Sequence, residues 1–338
     1  MKKKALLILL ISFGLCFSIY ANSFGAEKKI LIRYTHQHPS TLPYYKGAEK
    51  FTKLAEQKSN GQVKFEVYPA SQLYRASETV KAVTSGDVEM GHCVQDEWAL
   101  VFPLANIFYQ PFLVASLEVR REVTKGKIGE MIEKNMVKAG ARPLFWMPAD
   151  FNSVYVNNKR PLRVPKDFEG LLMRTTPGIY EIFEALGAKP ARLNVNDVYM
   201  ALQRGTVDGS WTVPSSAINR KWHEVVKYST IIEMMATYNV AFINVKFWNN
   251  LSRDIQKILI EASDEAEKWV EEMIVKEENE AIDELKKKTQ AYFPTSQEID
   301  LWKSATKRIV EKYVEKGGPE VKAAVDEINR INASLKKK

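Results

Sequence analysis

Arg174, in the stretch "EGLLMRTTPGIYEIFEALG", stands where a short apolar run meets the start of a helix, and Thr175, Thr176 and Pro177 follow it directly. Two hydroxyls, a guanidinium and the free N–H groups of a helix start make an anion site, because the helix end carries partial positive charge. The guanidinium fork can hold a carboxylate through two parallel charge-assisted hydrogen bonds. The competing reading is a solvated surface arginine, the commoner fate of this residue type. A second stretch, "VDGSWTVPSS", ends a strand at Asp208 and Gly209 and displays Trp211 and Thr212. Asp before Gly reads as turn chemistry, and Trp211 divides evenly between core packing and a cleft wall. A third, "THQH", places His36 and His38 at alternate positions of a strand exit, on one face, as two metal ligands could stand. No Cys or carboxylate nearby completes a metal set, so no metal is expected. His36 fits better as a hydrogen-bonding wall of a cleft, since open α/β sheets bind ligands at the C-terminal ends of their strands.

Enzyme signatures mostly fail. "HEVVK" at 223–227 has the first half of a zinc-protease helix motif, but Lys227 takes the place of the second His. "DGSWT" lacks the second Gly of a nucleophile elbow. There is no Gly-rich phosphate loop, and no cofactor is expected. A secreted enzyme acting on a carboxylate would use Asp208, His36 or His223 as general acid or base. No titratable pair stands at credible spacing from Arg174 to support that.

The elements that must position these residues alternate as in an α/β lobe. "KKILIRYTH" reads as a strand, "LPYYKGAEKFTKLAEQKS" as a helix with Pro43 in its first turn, and "GQVKFEVYP" as a half-exposed strand. "ASETVKAVTSG" is a helix closing on Gly86, and "DVEMGHC" a strand holding Cys93 as a small buried hydrophobe. A helical stretch from about Leu117 to Ala139 precedes two strands, "ARPLFWM" and "FNSVYV". The rhythm then repeats through "LLMRT", "PGIYEIFEALG", "KPARL", "NDVYMALQRG" and "TVDGSW". Tyr199 and Met200, at helical spacing with Leu202, read as core. From Ser252 to about Leu285 there is neither Gly nor Pro, which gives a helix of about 50 Å, long enough to run along two lobes. Two further helices, near Gln297–Lys316 and Pro319–Ser334, finish the chain.

The chain has 338 residues, 45% of them hydrophobic, which suits two lobes with a cleft between them. Residues 1–26 have a basic start, an apolar centre and small polar residues at the end, the layout of a cleavable secretory signal peptide. Cys16, after Leu15, is a poor lipidation site. Once the signal leaves, only Cys93 remains, so no internal disulfide can form. No later segment has the ~18–20 apolar residues that span a bilayer, so the mature protein is expected in the periplasm. Loss of Lys2, Lys3 and Lys4 takes the net charge from +8 to +5. Lys and Glu alternate without forming the basic stripe that phosphate backbones need. Nucleic acid is therefore excluded as a partner, while the positive surplus can draw small anions toward a cleft.

At these residues the chain resembles the extracytoplasmic solute-binding proteins of TRAP (tripartite ATP-independent periplasmic) transporters, over essentially the whole mature chain. "GQVKFEVYPASQLYRASETVKAVTSGDVEMG", "VFPLANIFYQPFLV", "DFEGLLMRTTP", "NVNDVYMALQRGTVDG" and "LSRDIQKILIEASDEA" match family segments in order. The resemblance implies that Arg174, at the arginine of the "GLKxR" segment, grips a solute carboxylate. It also implies a two-lobed periplasmic-binding-protein fold, type II-like, with a long helix spanning both lobes. Lobe I would hold residues 27–150 plus about 239–280, and lobe II residues 151–238 plus about 281–338. By matching segments, the other wall positions are His36, Gln95, Trp211 or Thr212, and Tyr238 or Asn239. The partners would be a small organic-acid ligand and the membrane subunits of a TRAP permease, with the receptor itself a monomer. A binding protein of an ATP-driven importer is the nearest alternative, and "VYMALQRGTVDG" argues against it.

Two departures bear on the solute. The "DGxEN" of sugar-acid binders is "DGSWT" here, and the second arginine that some members carry before the "GLKxR" segment is missing from "FNSVYV". One guanidinium with several aromatic neighbours suits a monocarboxylate with an apolar or aromatic body. Small dicarboxylates rank second and sugar acids third, since each unpaired polar group buried costs about 1–3 kcal/mol.

Overall fold

The computed structural model describes residues 29–114 and 117–335, so the signal segment and Cys16 lie outside the described residues. The first lobe opens with β1 (Ile30–His36), α1 (Pro43–Lys58), β2 (Val63–Tyr68), α2 (Ala76–Ser85) and β3 (Met90–Val94). Pro43 sits in the first turn of α1, where its missing N–H costs nothing. Gly86 ends α2 in the left-handed conformation. The helix expected over 117–139 is two helices, α3 (Leu117–Lys125) and α4 (Lys127–Ala139), divided at Gly126. Next come β4 (Ala141–Pro148), β5 (Ser153–Asn157), β6 (Leu172–Thr175), α5 (Tyr180–Ala185), β7 (Lys189–Arg192), α6 (Val198–Arg204), β8 (Gly209–Thr212) and α7 (Pro214–Asn219). The chain closes with β9 (Tyr228–Ile232), β10 (Tyr238–Asn244), α8 (Val245–Asn249), α9 (Arg253–Lys288), β11 (Gln290–Tyr292) and α10 (Ser296–Leu335).

These strands form two sheets, in the orders β2-β1-β3-β10-β4 and β11-β9-β5-β8-β6-β7. β1 is parallel to β2 and β3, and β6 is parallel to β7 and β8. Only β10 in the first sheet and β5 in the second run against their neighbours. Each of those two strands has just arrived from the other sheet, β5 after β4 and β10 after β9. The lobes therefore exchange strands through two crossings, at 149–152 and 233–237.

The crossings are tied to each other. Ala149 N–H donates to Thr237 O at 2.8 Å. Buried Arg120 donates from Nη2 to Phe151 O (3.1 Å) and to Met235 O (3.2 Å), with its guanidinium 4.8 Å from the centre of the Phe151 ring. Glu278 of α9 accepts from the backbone N–H of Phe151 (2.8 Å) and of Asn152 (2.7 Å).

α9 has 36 residues, a length of about 54 Å at about 1.5 Å per residue. Ile255, Leu259, Ala262, Ala266, Val270, Ile274, Glu278, Ala281 and Leu285 form its buried stripe at spacings of three and four. It packs on α1 and β4 of the first lobe and on α7 and β11 of the second. α10 breaks at Gly318 (φ 69°, ψ −159°), a conformation that belongs to glycine, and Pro319 restarts the helix. Its Trp302 packs 5.2 Å from Phe168 in the second lobe. Its Tyr313 hydroxyl donates to the carbonyls of Pro103 and Leu104 in the first. Among the described residues no helix is long and apolar enough to cross a membrane.

Candidate functional site

The C-terminal ends of the parallel strands in both sheets converge on one cavity of ≈ 220 Å³, the place where open α/β sheets hold ligands. The second lobe contributes Arg174 from the end of β6, Arg192 from the end of β7, Trp211 and Thr212 from the end of β8, and Arg220 beyond α7. His38 after β1, Glu97 after β3 and Asn239 of β10 come from the first.

Arg174 is fixed from behind. Its neighbours in register are Ala191 and Ser210, and its Nε donates to Leu193 O at 3.0 Å. Among the described residues the guanidinium makes no ion pair. Burial lowers its pKa to about 10, only partly opposed by the charges of Asp96 and Glu97. Arg220 is held by neutral groups alone. Its Nε donates to Ser216 Oγ (3.3 Å), Nη1 to Asn196 Oδ1 (3.0 Å) and Nη2 to His38 Nδ1 (3.4 Å). His38 Nε2 stands 2.7 Å from Asn239 Oδ1, so the Nε2–H tautomer satisfies both contacts. Burial also lowers the Arg220 pKa to about 10, and the nearby charge of Arg174 pushes in the same direction. Two cations thus share one cavity without a paired carboxylate on either, and Arg75 and Arg192 stand at its exposed rim.

On the first lobe the turn Gln95–Leu100 supplies an acidic pair. Asp96 is fully buried, and its Oδ2 accepts the backbone N–H of Gly178 at 3.2 Å, a bond between lobes. Glu97 lines the cavity and has a pKa raised to about 7. Burial is the main cause and the Asp96 charge the second, opposed by Arg192 and Arg174.

The structure sorts the expected wall residues. Arg174, Trp211, Thr212 and Asn239 line the cavity. Trp211 does both things its sequence allowed, since it is 5% exposed and its ring lies 5.9 Å from that of Tyr109, another wall residue. His36, Gln95 and Tyr238 do not line it. His36 shares a strand face with Ile32 and Tyr34 and stacks on His92 at 4.0 Å, inside the lobe; His38, two residues on, reaches the cleft. Gln95 is fully buried at the base of its turn, and Glu97 takes the wall position. Tyr238 points into the core against Phe108 (4.9 Å) and Trp146 (6.3 Å), because adjacent strand residues face opposite ways. Asp208 orders the β6 entry: its Oδ2 accepts the Leu172 N–H at 2.8 Å. The arginines beyond Arg174 are new, and so the expectation of a single cleft guanidinium does not hold. The available signal for Arg192 was its position at a strand C-terminus; Arg220 follows a helix and carries no such mark. No group of three or more His, Cys, Asp or Glu residues suited to a metal occurs among the described residues.

Comparison with known proteins agrees with this architecture. The family model for bacterial extracellular solute-binding protein, family 7, matches residues 34–316. The C4-dicarboxylate-binding periplasmic protein DctP of Rhodobacter capsulatus is 32% identical over 305 residues, covering 88% of this chain and 90% of that protein. A solute-binding protein of a TRAP transporter from Sulfurospirillum deleyianum, solved with bound succinate, superposes with a TM-score of 0.83 at 23% identity, over 89% of this chain and 98% of that one. The sugar acid binding protein DctPAm from Advenella mimigardefordensis, solved with galactonate, gives a TM-score of 0.85 at 21% identity, over 90% and 99% of the two chains. The family is one of transport receptors rather than enzymes, and its members deliver small organic acids to membrane permease components. With a two-lobed fold, strand-end residues of both sheets around one cavity and a family match over most of its length, this chain belongs to the family 7 extracellular solute-binding proteins, the receptors of TRAP transporters.

Proposed function

We infer that the protein captures a small organic dianion, of the C4-dicarboxylate type, between its lobes in the periplasm and presents it to a TRAP permease driven by an ion gradient. Arg174 grips one carboxylate and Arg220, with His38 and Asn239 beside it, receives the other; Trp211 and Thr212 complete the wall. Lobe I is taken as 27–150 plus about 239–280 and lobe II as 151–238 plus about 281–338, with α10 touching both. The reading rests on one observation: two buried or half-buried guanidiniums face the same cavity, burial lowers the pKa of both, and neither is neutralised by an ion pair. A monocarboxylate would relieve only one of them. The order of solutes taken from the sequence rested on one guanidinium, and the second moves dicarboxylates ahead of monocarboxylates. The dicarboxylate-binding relative supports the same order.

The mechanism is a shift in population. An anion that touches Arg174 on one lobe and His38 or Asn239 on the other does so fully only when the lobes are together, so it favours the closed form by its difference in affinity for the two. A sugar acid is the second reading, favoured by the polar wall of Asn194, Ser216, Thr237 and Asn239. A thermal-shift panel tests the choice, since a ligand bound only by the folded state raises the melting temperature. Succinate, malate or fumarate should shift it more than acetate, benzoate or gluconate at equal concentration. A larger shift with the monocarboxylates would overturn the dianion reading.

A further inference from the structure

Among the described residues Glu97 is the one carboxylate that lines the cavity, in a wall that holds four arginines. Its Oε2 is buried and has no hydrogen-bond partner, and neither does Oδ1 of the adjacent Asp96. An anion gripped by Arg174 shares the cavity of ≈ 220 Å³ with Glu97, and a small turn of the Glu97 side chain would bring the shielded oxygen to it. Two ionised carboxylates in such a place repel, and like charges in contact raise the pKa of one of them. The geometry points to Glu97 as a proton-gated contact: it takes up one proton as the dianion enters and then donates a hydrogen bond from its carboxyl to the ligand, so that anion and proton are captured together. This rests on the reading of the cavity as an organic-anion site.

Charged and titratable groups face Glu97 from both lobes. Asp96 on its own turn opposes ionisation, and Cys93 of β3 and Tyr109 feel its charge. Arg174 and Arg192 favour ionisation from the second lobe, and Arg75 lines the cavity from the N-terminal end of α2; β10 contributes the uncharged Asn239. Burial and Asp96 outweigh the arginines, and the pKa stands at about 7 before any ligand charge is added. An entering dianion takes over the attraction of the guanidiniums and adds repulsion, and both effects raise it further. The proton comes from the buffer, and no bond within the ligand is made or broken. For specificity, a protonated acid donor rewards an ionised ligand oxygen and penalises a ligand that brings its own hydroxyl proton to that point.

The sign of the pH dependence follows from linkage. Where Glu97 is already protonated in the free receptor, below its free-state pKa, binding is independent of pH. Above that pKa, each bound dianion must bring one proton, and Kd rises toward tenfold per pH unit. The test is titration calorimetry of the full mature chain with succinate, at about pH 7.5 to 8 in two buffers of different ionisation enthalpy that are not dianions, HEPES and Tris. Wild type should take up between half and one proton per succinate, and Glu97→Asp should still do so. Glu97→Gln keeps a donor amide but cannot titrate, so whatever its affinity, its binding of succinate should show no proton uptake and a flat Kd across that range. Proton uptake unchanged in Glu97→Gln, or wild-type binding without any, overturns the inference while leaving the anion site standing. Absence of binding by every dianion brings down the reading of the cavity itself.

Discussion

Asp96 of the first lobe accepts a hydrogen bond from the backbone N–H of Gly178 of the second, at 3.2 Å. A Cβ at position 178 would stand 2.8 Å from Asp96 Cβ and 2.9 Å from both Asn106 Oδ1 and Tyr109 Cδ1. Glycine is what lets the two jaws meet at this edge. Gly178→Val should hold them apart and weaken succinate binding at least tenfold, with the unliganded melting temperature nearly unchanged. Calorimetry and small-angle scattering check this, the variant keeping its larger radius of gyration when the acid is added.

The paired guanidiniums make a second prediction. Arg174→Ala should weaken dicarboxylate binding at least tenfold and leave the fold intact. Arg220→Gln should weaken succinate much more than acetate, because it removes the site of the second charge and not the first. Equal losses for the two acids would place both carboxylate contacts on Arg174. Neither variant should melt lower without ligand, since burial already disfavours both cations.

Arg120 holds the crossings together at the carbonyls of Phe151 and Met235. Arg120→Met leaves those buried acceptors without a donor, at about 1–3 kcal/mol each. Urea denaturation should show a loss of about 2–6 kcal/mol. Succinate affinity should fall as well, because the jaws then turn about a looser axis.

Much of this design can be read along the chain. The α/β rhythm, the gapless helix from Ser252 and the break before Pro319 follow from local rules of periodicity, capping and Gly/Pro placement. Arg174 declares itself through its place between an apolar run and a helix start. The residues that escape are those fixed by strand parity or by distant neighbours. His36 and His38 share a face by parity, and they part only because β1 ends at His36, which stacks on His92 inside the lobe, while His38 lies beyond the strand and meets Asn239. Tyr238 and Asn239 are adjacent, so a slip of one residue exchanges core for cleft. Arg220 closes "SSAINR", a stretch like any helix end, and it becomes a cleft residue only because β10 brings Asn239 and β1 brings His38 to meet it. Met200 fails in the other direction: it keeps helical spacing with Leu202 yet is 41% exposed, since α6 is a short helix with one side covered.

A titrating group at the crossing gives a pH prediction. Asp150 Oδ1 accepts from Ser215 Oγ (2.7 Å) and Tyr44 OH (3.3 Å), joining both lobes at the start of α7. Burial, and then the charge of Glu278, raise its pKa to about 7, against about 3.9 for an unfolded Asp. A raised folded value means that the native state holds a proton the unfolded chain has released. The stabilisation is complete below about pH 4 and is lost as pH rises through 7. The melting temperature of wild type should fall across that window more steeply than that of Asp150→Asn, which keeps the shape and loses the titration. Parallel curves for the two proteins would remove Asp150 from the account.

The uninterrupted helix α9 is bonded along its flank to parts that must swing relative to one another, α1 and β4 at one end and α7 and β11 at the other. A beam pinned at two moving supports has no slack, and with no glycine or proline to form a joint it must flex along its whole length when the jaws gape. Release of cargo would then require mechanical work on this beam, and a docked membrane subunit that pries the supports apart would be working against an elastic element rather than a free pivot.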